Sequence, residues 1–153
     1  MAGNLLDLGP FLNVKRVVFI AGNPAKRDML LQLADLTTAG FLPRDRASFI
    51  KAIFDREDVT STAIGSGIAI PHARLPTIDD CVISIAIIPD GMAFDARDGA
   101  PVRIVAMIAA RDRDRSEHLR VLASVAAHLQ DRARRDRLIA AANADEVIGL
   151  LKG

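Results

Sequence analysis

The chain has 153 residues, a length that suits one domain better than two; half of them are hydrophobic and a quarter charged, an ordinary globular composition. Twenty Lys and Arg against 19 Asp and Glu leave a formal charge of +1, which argues against a nucleic-acid binder held by phosphate neutralisation and gives no polybasic membrane tether. The single cysteine, Cys81, excludes an internal disulfide and a cysteine-built zinc site, and the lack of Trp and Tyr leaves few platforms for stacking bases or sugars.

In chain order, Val14 to Ile20 contains the run Val17-Val18-Phe19-Ile20 and reads as a strand. Asn23-Pro24 offers an N-cap with proline at the first helical position, and Gly40 offers the stop. Between them Met29, Leu30, Leu33, Ala34 and Leu36 recur at helical spacing. A second helix begins at Pro43 and Asp45, carries Phe49, Ile50, Ile53 and Phe54 on one side, and runs towards Arg56. From Asp58 to Pro71 small and β-branched residues take over, broken by Gly65 and Gly67 before the short run Ile68-Ala69-Ile70.

Cys81 to Ile88 reads as a buried strand ended by Pro89-Asp90-Gly91, and Val102 to Ala110 is another such run after a turn at Asp98-Gly99. That hairpin-like join predicts an antiparallel pair. The C-terminal third reads as helices over Ser116–Gln130, Arg132–Ala142 and Asp145–Lys152. The expected fold is α/β: one domain over residues 1–153, with a mixed sheet flanked by helices on both faces. No apolar run approaches the ~18–20 residues needed to span a bilayer. The first ten residues lack a basic region followed by an apolar stretch. A cytoplasmic protein without membrane insertion is therefore expected.

The common nucleotide motifs are missing: neither Gly22-Asn23-Pro24 nor Gly65-Ser66-Gly67 extends to a phosphate-binding loop. No histidine pair has the i, i+4 spacing of a helical metal site, so neither cofactor nor metal is expected. The carboxylates sit in alternating-charge runs such as Arg111 to Arg115, whose ordinary reading is a solvated loop.

The concentrated signal runs from Arg56 to Arg74. It places His72 directly after Ile70-Pro71, at the end of an apolar strand, where α/β sheets commonly present chemistry. Pro71 restricts the backbone before His72, and Gly65 and Gly67 let other main chain approach. A neutral imidazole can use one ring nitrogen as nucleophile while a hydrogen bond holds the other.

This segment resembles the phosphorylation-site signature of enzyme IIA of the fructose, mannitol and nitrogen-regulatory class in the bacterial phosphoenolpyruvate-dependent phosphotransferase system. The match runs from Glu57 through Ile64-Gly65, Ile68-Ala69-Ile70 and Pro71-His72-Ala73. It continues in Ala93-Phe94-Asp95-Ala96, Asp98-Gly99, Pro101-Val102 and His118-Leu119. The resemblance implies a phosphoryl carrier that takes a phosphoryl group from a histidine phosphocarrier protein and passes it to a cysteine of an enzyme IIB, or signals to regulatory targets by its phosphorylation state. It puts His72 at the acceptor position and Arg56 and His118 at the two supporting positions. The expected role of His118 is to fix the tautomer of His72 or to meet one phosphate oxygen. Ala73-Arg74 departs from the Gly-Lys of many regulatory members but keeps one cation. A nitrogen-regulatory component is favoured over a free-standing fructose or mannitol component.

Each of these residues also has an ordinary role. A lone histidine is usually structural, and Arg56 at a helix end complements the dipole. His118 lies at the edge of the stripe formed by Leu122, Val125 and Leu129, where it could simply pack, although first-turn amides there also attract phosphate. Thr62 and Ser61 offer hydroxyls to phosphate oxygens and are equally turn formers. His128 and Cys81 read as packing residues. Two other classes stay open: a regulatory binding module that does not pass phosphate onward, and a hydrolase with His72 as base.

Overall fold

The computed structural model describes residues 6–112 and 115–152. In chain order these form β1 (Val17–Phe19), α1 (Lys26–Thr37), α2 (Pro43–Val59), β2 (Ala63–Gly65), β3 (Ile68–Ala69) and β4 (His72–Leu75). The chain continues with β5 (Val82–Met92), β6 (Val102–Arg111), α3 (Arg115–Gln130), α4 (Arg132–Ile139) and α5 (Ala144–Leu151).

The two long apolar runs, β5 and β6, pair antiparallel at the centre of the sheet, as the join at Asp98-Gly99 predicts. Strand β1 adds parallel to β5, and β3 and β4 add parallel to β6, so the sheet is mixed. Alternation along the central strands sends side chains to opposite layers. Ile104, Ala106, Ile108 and Ala110 pack with Val121, Val125 and Leu129 of α3, Leu138 of α4 and Val147 and Leu151 of α5. Val105, Met107 and Ala109 pack with Met29, Leu30 and Leu33 of α1 and Phe49 and Ile53 of α2. Helices thus cover both faces. That is why β5 and β6 read as continuous apolar runs rather than alternating ones.

Four boundaries differ from the sequence-based expectation. Val14–Arg16 form a short 3-10 turn, with the Asn13 side chain accepting from the Lys15 N–H, so the first strand is only β1. Helix α1 starts at Lys26 rather than after Asn23: the Gly22 N–H donates to Asp90, which holds the preceding segment against β5. Helix α4 stops at Ile139, and Asn143 then caps α5 by accepting from the Glu146 N–H.

The fourth difference is the largest. Pro89-Asp90-Gly91 does not end β5 but bulges it, and the strand rejoins its register at Met92 opposite Val102. Gly91 has φ +80, and a Cβ there would lie 2.9 Å from Pro101 Cβ. Gly91→Ala is expected to lower stability by about 1–3 kcal/mol, the cost of a strained left-handed residue, read as a shift in denaturant midpoint.

Strands β3 and β4 hold the same register against β6, so they are one edge strand interrupted at Ile70-Pro71. His72 does not follow the end of a strand. It opens the strand's second half. Pro71 has no N–H for the ladder, but its carbonyl still accepts from Ile108 at 3.0 Å, which keeps the register. The hairpin strand β2 pairs with β3 only, so among the described residues no strand covers the outer edge of β4. The turn that returns β2 to β3 has φ > 0 at both Ser66 and Gly67, the pattern of a tight hairpin. Gly67 also lets the Pro101 carbonyl approach to 3.3 Å of where a Cβ would stand.

Candidate functional site

Three elements bring the sequence-predicted residues together. Arg56 comes from the last turn of α2, His72 from the first position of β4, and His118 from the first turn of α3. All three line one open depression of about 530 Å³, together with Ala73, Arg74, Asp112, Arg115, Leu119 and Leu122. The His72 and His118 ring centroids are 5.6 Å apart, with the rings tilted by 48°.

His72 is half-buried, and its Nδ1 lies 2.8 Å from the carbonyl oxygen of Ile70. A carbonyl only accepts, so Nδ1 carries the proton and Nε2 carries the lone pair. The backbone two residues upstream therefore sets the tautomer. His118 does not perform that role.

His118 is only 7% exposed, and its buried Nδ1 has no hydrogen-bond partner. Burial lowers its pKa from 6.5, and the neighbouring His72, Arg74 and Arg115 push the same way against Asp112. The unfolded chain thus binds a proton at His118 more readily than the folded one. The associated stability is fully present above pH 6.5 and is lost as pH falls through the lowered folded value. His118→Gln is expected to flatten the fall in unfolding free energy as pH drops below 6.5, measured by denaturant titration against the parent protein.

The guanidinium of Arg56 is exposed and touches its own helix end, Nη1 donating to the Thr60 carbonyl at 3.3 Å. Capping and a place in the depression coexist. Arg74 is ion-paired to Asp112 at 3.5 Å. The depression therefore collects three guanidinium groups and one carboxylate, an environment that favours a dianion. Arg115 escaped the sequence reading because it sits in the alternating-charge run. Within that run Arg113 and Asp114 lie outside the described residues. Arg111 is not solvated as expected: it forks onto Glu117 at 2.8 and 3.0 Å and donates to the Asp79 carbonyl, tying β6 to α3.

Ser61 and Thr62 flank His72 on the other side, in a second hollow with Arg56, Ile64, Ile70, Leu122 and Ala126. Their hydroxyl protons are committed. Ser61 Oγ donates to the Phe94 carbonyl at 2.9 Å, and Thr62 Oγ1 to Glu57 at 2.6 Å. Cys81 and His128 sit apart from the site. The Cys81 thiol is buried and pushed up to about 11, chiefly by desolvation, so it is protonated at neutral pH. His128 is buried, with Nδ1 bonded to the Ser124 carbonyl at 2.7 Å. Among the described residues no three His, Cys, Asp or Glu side chains gather as a metal site, and no helix is long and apolar enough to cross a membrane.

Leu119 (57% exposed) and Ile64 (44% exposed) stand as large apolar side chains on the rims of the two hollows. Leu122, Ala73 and Ala126 add further apolar surface beside the charged groups of the depression.

Comparison with known proteins bears on this geometry. Residues 10–153 match the family model described as "Phosphoenolpyruvate-dependent sugar phosphotransferase system, EIIA 2". The chain is 40% identical over 84 residues to the fructose-specific EIIABC component of Bacillus subtilis; the match takes in 55% of this chain but only 13% of that longer protein. Among solved structures it superposes on the nitrogen regulatory protein IIA-Ntr of Neisseria meningitidis with a TM-score of 0.85 and 26% identity, covering 95% of this chain and 99% of the other. It also superposes on enzyme IIA-mannitol of Escherichia coli, from a complex with phosphorylated enzyme IIB-mannitol, with a TM-score of 0.75 and 25% identity over 92% and 96% of the two chains. The match over nearly the whole length, with the residues of the signature meeting in one depression, means that the chain belongs to the EIIA type 2 family of the phosphoenolpyruvate-dependent sugar phosphotransferase system.

Proposed function

We propose that residues 1–153 form a single phosphoryl-carrier domain whose acceptor is Nε2 of His72. The observation that carries this reading is the hydrogen bond from Nδ1 to the Ile70 carbonyl, which leaves the Nε2 lone pair available in a cationic, accessible depression. In the forward step Nε2 attacks the phosphorus of a phosphorylated histidine phosphocarrier protein. One N–P bond forms as the donor's N–P bond breaks. The donor imidazole leaves with its electron pair, and the ring proton of His72 stays on Nδ1, donating to the Ile70 carbonyl.

Phosphoryl transfer needs alignment and charge stabilisation more than covalent help. Arg56, Arg74 and Arg115 supply fixed positive charge at the depression, and His118 supplies a neutral ring aimed at the same space. Ser61 and Thr62 support the phosphate site by holding the loop beside His72, since their own protons are already engaged. The second transfer, to a cysteine of an enzyme IIB, reverses the geometry with sulfur as nucleophile. Access for two different proteins agrees with the open depression and its apolar rim. The near-complete overlap with IIA-Ntr favours a nitrogen-regulatory role, in which the phosphorylation state of His72 is read by a regulatory target.

The test is incubation with phosphoenolpyruvate, enzyme I and the histidine phosphocarrier, followed by intact mass. One added phosphoryl group, labile in acid and durable in base, is the expected result. A protein that stays unmodified, or that turns over a small phosphoester without becoming labelled, would sink the carrier reading in favour of a binding module or a hydrolase.

A further inference from the structure

Glu57 follows Arg56 on α2 yet turns inward, its side chain 5% exposed. Three donors converge on its carboxylate: Lys26 Nζ at 2.9 Å, the Thr62 N–H at 2.9 Å and Thr62 Oγ1 at 2.6 Å. Lys26, from the first turn of α1, is itself fixed over the Phe94 ring at 4.4 Å, near the Phe94 carbonyl at 3.4 Å and near Asp95 at 3.6 Å. From Thr62 a line of hydrogen bonds leads to the candidate nucleophile. The Thr62 carbonyl accepts from the Ile70 N–H at 3.1 Å, and the Ile70 carbonyl accepts from His72 Nδ1 at 2.8 Å.

The chemistry of this line is directional. The Ile70 carbonyl belongs to a peptide bond with Pro71, whose ring restricts rotation and whose nitrogen carries no competing proton. Its aim therefore depends on how Ile70 is held, and among the backbone bonds the Ile70 N–H is tied to Thr62. Thr62 is in turn fixed by two bonds to one carboxylate, charge-assisted and sheltered from water. A histidine without a partner at Nδ1 populates both neutral tautomers, and the Nε2–H form has no lone pair at Nε2.

We propose that Glu57 is a positioning residue for His72. Held by Lys26, it locks Thr62, Thr62 orients the Ile70 peptide, and the Ile70 carbonyl keeps His72 in the Nδ1–H tautomer. The inference rests on the reading of His72 as phosphoryl acceptor for its functional consequence, but the tautomer itself is observable without any transfer.

The experiment uses the full chain labelled with nitrogen-15 and reads the His72 ring nitrogens by NMR in the unphosphorylated state. It is paired with the rate of uptake from phosphorylated histidine phosphocarrier. The parent protein is expected to show the Nδ1–H form. Glu57→Ala is expected to mix the tautomers and to slow uptake at saturating donor on the order of ten- to a hundredfold, the scale on which outer partners of an oriented imidazole act. The KM for the donor should hold, because the buried Glu57 carboxylate is not part of the contact surface. Thr62→Val removes one of the two bonds to the carboxylate and is expected to move the ring nitrogens the same way by less. Ring-nitrogen shifts and rates that stay at parent values in whichever of these variants folds would overturn the proposal, as would an Nε2–H ring in the parent protein. Failure of the parent to take up phosphate with its ring in the Nδ1–H form would instead remove the carrier reading and leave the tautomer relay standing.

Discussion

His72→Ala is expected to abolish phosphoryl uptake completely while leaving a folded protein. The side chain is half-buried and makes one hydrogen bond, to the Ile70 carbonyl, so its loss costs about 1 kcal/mol of stability. The sheet position itself is held by backbone: His72 lies opposite Ile108, and the Ile108 N–H donates to the Pro71 carbonyl whatever side chain follows. Intact mass after incubation with the phosphorylated donor reads the first effect, and a denaturant melt reads the second. Undiminished labelling in a variant that melts like the parent would move the acceptor elsewhere.

Arg56→Gln is expected to slow transfer in both directions by ~10²–10³, the loss that follows removal of one well-placed electrostatic contact to a developing charge. Glutamine keeps a polar end but neither the charge nor the planar fork of donors. Among the described residues the exposed Arg56 guanidinium makes one hydrogen bond, to the Thr60 carbonyl at 3.3 Å, so it can turn towards a phosphoryl group arriving at Nε2. Arg56→Lys restores charge without the fork and should fall between the two. Rapid-quench measurement of loading and discharge decides it: parent rates for Arg56→Gln in both directions would remove Arg56 from the site.

Much of the fold could be read in the sequence because burial leaves a direct trace. The continuous apolar runs of β5 and β6 exist because helices cover both faces of the sheet, and the turn at Asp98-Gly99 marks their antiparallel join. The helical stripes of α1 and α2 are visible for the same reason. Pro89-Asp90-Gly91 misled the reading because the residues that stop a strand are also those that bulge it. Which outcome follows depends on Pro101 and Arg103 across the ladder, where Arg103 donates to the Pro89 carbonyl at 3.2 Å.

The meeting of Arg56, His72 and His118 was accessible only through the family signature, since their spacing along the chain carries no geometric message. Glu57 stands in that signature without an assigned role. Its importance depends on Lys26, thirty-one positions away by number, and on a loop that folds Thr62 back against it. The identity of the Nδ1 partner was equally hidden. A histidine two residues after its own hydrogen-bond acceptor looks like any Xaa-Pro-His until Pro71 is seen to interrupt an edge strand without breaking its register.

One ring nitrogen of one histidine is expected to carry the phosphoryl group. Nitrogen-15 NMR of the phosphorylated protein tests it most directly, by reading which histidine nitrogen couples to phosphorus. The structure predicts coupling to Nε2 of His72, with its Nδ1 still protonated against the Ile70 carbonyl. Phosphorus on Nδ1 of His72, or on a ring nitrogen of His118, would contradict it.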